Sequence, residues 1–233
     1  MKIERENTRE QEIGADNMRY AEKRTSWEAK MKDVEQIEDI DEKIKETVVA
    51  FRMLGFPTSG SCEGHADEGS NGPWIRVQAV DMPKERFVGE QERYEIIAEK
   101  YGIDPEDVRR GIHEEAQDEF WEEERARDLR GEVNEETEQF KEWRKENDNL
   151  REKCENLIEE FYSSREVPED ARIVIVSYAD GVFDMSNMGA EGMKDELSDD
   201  EKEARQAKLL EYQAEMQAFT EFLKNKYFTS ETE

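Results

Sequence analysis

The dipeptide Asp180-Gly181 separates the β-branched run Arg172-Ile173-Val174-Ile175-Val176-Ser177-Tyr178-Ala179 from Val182-Phe183-Asp184-Met185. Asp-Gly between apolar runs is the strongest short-range hairpin signal, because both residues tolerate the positive φ of a type I′ turn. A further strand is read over residues 73–80, where Ile75, Val77 and Ala79 alternate with Arg76 and Gln78. Three strands alone bury too little apolar surface, so helices must cover at least one face. The expectation is an α+β fold: a small antiparallel sheet of about three strands, covered by several helices, two of them long.

The helices are read from apolar spacing. Ile37, Ile40, Ile44, Val48, Phe51 and Leu54 recur at three- and four-residue steps, and Gly55 supplies a left-handed stop. A helix is expected from about Lys84 to Tyr101, ended by Gly102, and another from the Asp104-Pro105 cap. Long helices are expected over residues 135–163 and after the capping box at Ser198. Their narrow stripes suit an antiparallel helix pair, or a pairing between copies in a homo-oligomer. Residues 1–26 read as a flexible polar arm, 27–228 as one domain with 84–134 as a helical insertion, and 229–233 as a tail.

Charge excludes some functions. With 62 acidic against 34 basic residues and a formal net charge of −28, the chain repels polyanions, so no nucleic-acid partner is expected. No apolar run is long enough to span a bilayer, and residues 1–10 lack the apolar core of a secretory signal, so no membrane is expected and a cytoplasmic location is. Two distant cysteines, Cys62 and Cys154, make no disulfide framework.

One segment departs from the charged helical pattern: Thr58-Ser59-Gly60-Ser61-Cys62-Glu63-Gly64-His65, read as a loop leading to Trp74. Several readings of it stay open. Cys62 and His65 have a spacing that can share one metal ion, zinc by ligand type. That pair is only half a site, with Cys154, His113, Glu63 and Asp67 as further candidates, so zinc is not the favoured reading. In an enzyme, Cys62 would be nucleophile, His65 acid/base and Glu63 the orienting carboxylate. In a binding module, Thr58, Ser59, Ser61, Trp74 and Asn187 would hold a small molecule or a protein partner. Finally, Gly60 and Gly64 can simply shape a tight connection around a buried thiol, in a purely structural helical interaction protein. The leading reading is a ligand- or partner-binding module centred on this loop.

The run from Ile40 to Ala50, the Thr-x-x-Ser-Cys-Glu-Gly-His motif at 58–65 and Pro73-Trp74-Ile75 together resemble a group of uncharacterised bacterial proteins and small phage proteins. The resemblance covers about a quarter of the chain and implies a shared structural unit without an established activity. A more distant similarity is to the Ser-Ser-Cys-Ser-Gly-Arg loop of the tRNA wybutosine-synthesising methyltransferase family. Here Glu63 and His65 replace that family's Ser and Arg.

Overall fold

The computed structural model describes residues 2–67, 69–132, 134–192 and 197–230, with side chains from Met18 onward apart from Ala179. It is an α+β protein with one four-stranded antiparallel sheet and, among the described residues, seven α-helices. The chain divides into two compact units, Val80–Glu146 and the rest. Among the described residues no helix is long and apolar enough to cross a membrane.

In the larger unit the strands are β1 (Thr58–Cys62), β2 (Trp74–Val77), β3 (Ile173–Ser177) and β4 (Phe183–Asn187), in the spatial order β1-β2-β4-β3. The hairpin forms as its sequence dictates: Asp180 and Gly181 take φ of 66° and 81°. Alternation puts Ile75 and Val77 of β2, Phe183 and Met185 of β4, and Ile173 of β3 on one face, all at most 1% exposed. Trp74, Arg76, Asp184 and Ser186 lie on the other, where Asp184 accepts a bidentate bond from Arg76 (2.7 and 3.0 Å).

The fourth strand differs from expectation. Thr58–Cys62 is an edge strand with a bulge at Ser59–Gly60, so only the stretch after Cys62 is a loop. Its small polar residues hide the usual alternation, because an edge strand needs backbone pairing on one side only.

The stripe from Ile37 to Leu54 is also not one helix. Helix α1 (Lys2–Glu35) ends first, a 3-10 turn covers Glu42–Ile44, and α2 spans Lys45–Met53. Between them Asp41 is extended (φ −58°, ψ 146°) and its carboxylate makes no cap to its own helix. Residues 2–26, read as an arm, belong to α1. That helix is anchored by Trp27 and by Lys23, whose ammonium donates to the carbonyls of Tyr227 (2.7 Å) and Ser230. Residues 231–233 of the expected tail lie outside the described residues.

Helices α6 (Glu138–Tyr162) and α7 (Asp199–Thr229) carry the other apolar stripes, and the Ser198 capping box forms as read. They meet where Phe161 packs on Phe219 and Phe222 (5.1 and 5.4 Å between ring centroids). Beside this contact the buried Glu215 carboxylate accepts from Tyr162 Oη (3.0 Å) and from Nε and Nη2 of Arg165 (3.1 and 2.6 Å). Tyr162 Oη in turn accepts the Ile173 amide, tying the pair to the start of β3.

The smaller unit packs α3 (Glu90–Tyr101), α4 (Pro105–Arg109) and α5 (Glu114–Leu129) around Tyr94, Ile97, Val108, Ala116 and Phe120. The helix expected from Lys84 starts only at Glu90, after Gly89 with φ 77°. The helix expected from Pro105 stops at Arg109, because Gly111 (φ 69°) reverses the chain. His113, one of the further metal-ligand candidates, caps α5 by accepting the Ala116 amide at Nδ1 (3.3 Å).

Glu215→Ala leaves a phenol and a guanidinium without their shared acceptor. It should lower unfolding free energy by about 1–3 kcal/mol, shifting the urea midpoint at unchanged slope. An unshifted midpoint would show that this junction contributes nothing.

Candidate functional site

Beyond Cys62 the chain leaves the sheet, and its backbone polar groups need partners from elsewhere. Helix α7 supplies them from one stripe at four-residue steps. Gln213 Nε2 donates to the Glu63 carbonyl (2.9 Å), and Arg205 donates to the carbonyls of Ala66 (2.9 Å) and Gly69 (3.3 Å). Between them Leu209 packs where a Gly64 side chain would be. A Cβ there would lie 2.8 Å from Leu209 and from the Gly72 backbone, and Gly64 has φ 81°. Only glycine fits.

The loop thus held turns His65 back toward the end of β1. Its Nε2 lies 3.7 Å from Asp41 Oδ2. The same oxygen accepts the Glu63 amide (3.0 Å), while Gly64 N–H donates to Cys62 Sγ (3.3 Å). The donor atoms of Asp41, Cys62 and His65 all lie within 4.8 Å of one another. Around one tetrahedral zinc such ligands sit about 3.3–3.7 Å apart, so a small contraction brings the trio into coordination. The two amides hold the ligand atoms in place, as outer-shell partners do in metal sites. The side chains of His65 and Asp41 are 33% and 36% exposed, which leaves room for a further ligand.

The structure sorts the sequence candidates. Cys62 and His65 converge, joined by Asp41 rather than by Cys154, His113, Glu63 or Asp67. The Glu63 carboxylate, read as the group orienting His65, instead accepts the Lys43 amide (3.0 Å). Cys154 is fully buried on α6, and burial pushes its thiol far up. Sequence reasoning missed Asp41, which precedes Cys62 by 21 residues inside an apolar stripe read as helix. The signal was there in Asp39-Ile40-Asp41, a pair of acids before a helix start.

Four of the candidate binding residues, Thr58, Ser59, Ser61 and Trp74, line one cavity of about 330 Å³ along β1. Asn187 lies apart from it in β4, donating to the Ala171 carbonyl (2.6 Å). Ser59 donates to Gln78 (3.1 Å).

The Cys62 thiol is pushed up, first by burial and further by the negative charge of Asp41 and Glu63; the Gly64 amide opposes this. A nucleophile needs the opposite shift.

The chain matches no family model, no curated protein and no solved structure. Its functional reading therefore rests on this geometry.

In metal-free protein, Cys62 should alkylate more slowly than free cysteine at neutral pH and accelerate as pH rises past the ordinary thiol range, with Cys154 unlabelled throughout. Mass spectrometry after iodoacetamide checks this. Rapid labelling of Cys62 at pH 6 would show an activated thiolate instead.

Proposed function

We propose that this chain is a metal-dependent binding module, holding one divalent transition-metal ion, zinc by ligand type, through Asp41, Cys62 and His65. The observation that carries the reading is the convergence of a thiol and an imidazole from the segment ending β1 with a carboxylate from the turn before α2. Thiolate and imidazole select zinc over magnesium or calcium, which prefer all-oxygen shells. Three protein ligands with one open position is the pattern of sites that bind a further molecule, whereas purely structural zinc is closed by four. The ion's partner is accordingly a small ligand with an oxygen, nitrogen or sulfur donor. The acidic surface raises the local concentration of cations.

The same ion resolves the chemistry of Cys62. A coordinating thiol is deprotonated by the metal itself, so a thiol pushed up by burial in the free protein suits a ligand better than a nucleophile.

After chelator treatment, the protein should take up one equivalent of Zn²⁺ in a competition titration against a chromophoric chelator. Asp41→Asn, Cys62→Ser and His65→Asn should each weaken uptake by at least about tenfold, with unchanged circular dichroism. Weak multivalent uptake indifferent to all three substitutions would mean surface carboxylates alone bind the ion, and the reading would fall.

A further inference from the structure

We infer that the cavity along β1 is a binding site for a small organic acid, whose carboxylate meets Arg52 and whose apolar body lies against Trp74 and Ile40. The site is separate from the metal ligands and does not depend on them.

The first observation is charge. Arg52, on the last turn of α2, lines this cavity, and Nε donates to Thr58 Oγ1 (2.9 Å). Among the described residues no carboxylate comes within ion-pair distance of it. By contrast Arg24, Arg76, Arg93, Arg109, Arg144 and Arg165 each hold a carboxylate, so the Arg52 charge is not already spent on an acid as theirs is. The guanidinium keeps further N–H donors for an incoming group.

The second observation is the wall chemistry. Thr58 Oγ1 accepts from Arg52, which leaves its own hydroxyl hydrogen free to donate. Ser61 lines the same cavity and carries a further hydroxyl that can donate. Arg52, Thr58 and Ser61 therefore present donors, the pattern that recognises a carboxylate; the planar fork of arginine matches its two oxygens. Asp39 also lines the cavity, but it is exposed, with its carboxylate solvated.

The third observation is shape. Gly60 has no side chain, and a Cβ there would lie 3.2 Å from the Trp74 ring, so the indole rests across the strand and walls the cavity. Ile37, Ile40 and Val48 complete an apolar lining. About 330 Å³ is at the small end of ligand sites. A few convergent polar groups on an otherwise apolar wall is what such sites share.

The probe is benzoate, with benzamide as its neutral isostere, titrated into chelator-treated protein and followed by amide shifts of Thr58, Ser61 and Trp74. Benzoate should saturate these signals at one equivalent with a dissociation constant of about 1 mM or tighter. Benzamide should bind at least about tenfold more weakly, and Arg52→Met should weaken benzoate by a similar factor. His65→Asn should leave benzoate binding unchanged, separating this site from the metal reading. No saturable binding, equal binding of benzamide, or benzoate binding undiminished in Arg52→Met would overturn the inference. If Arg52→Met does not fold, the benzoate–benzamide comparison in the unaltered protein decides.

Discussion

The contact on which the site depends is between α7 and a stretch of chain with no secondary structure of its own. A loop leaving an edge strand carries carbonyls and amides that must find partners or cost stability. Arg205, Leu209 and Gln213 meet that need from one helix stripe, reading the loop from Gly69 back to Glu63. Arg205 is 6% exposed and spends its charge on the backbone carbonyls of Ala66, Gly69 and Gly192 rather than on an acid. A buried cation is tolerated there because three carbonyl dipoles face it. The helix, fixed at its start by the Ser198 capping box, gives His65 a defined place.

From that anchor the rest of the site follows. With the loop pinned, Asp41 accepts the Glu63 amide and faces His65, while the Gly64 amide points at Cys62. Asp41 and Cys62 are therefore each oriented by a backbone amide, and His65 faces the Asp41 carboxylate. The same arrangement leaves the inner side of β1 facing α2, where Arg52 and the strand hydroxyls border a cavity. Two kinds of chemistry thus lie along one short edge strand: a soft-donor cluster at its end and a donor-rich cavity along its length.

Much of this was legible in the sequence wherever local chemistry decides. Asp180-Gly181 gave the hairpin, Gly55 and Gly102 the helix stops, and Ser198 the start of α7. The Cys62–His65 segment was recognisable as the place where reactive groups gather. What could not be read depends on tertiary partners. Thr58–Cys62 has no apolar alternation, since an edge strand bounded by bulge and loop is specified by its neighbour β2. Asp41 sits within a helical spacing pattern, and only its contact with the Glu63 amide shows that the helix breaks there. Arg205 looked like one more charge on an acidic helix, yet it is buried because the loop's carbonyls surround it.

The central claim is that Asp41, Cys62 and His65 form one coordination sphere. X-ray absorption fine structure at the zinc edge of protein loaded with one equivalent tests it most directly. The account predicts one sulfur scatterer at about 2.3 Å with nitrogen and oxygen at about 2.0–2.2 Å, and loss of the sulfur shell in Cys62→Ser. An all-oxygen shell in the unaltered protein would contradict it.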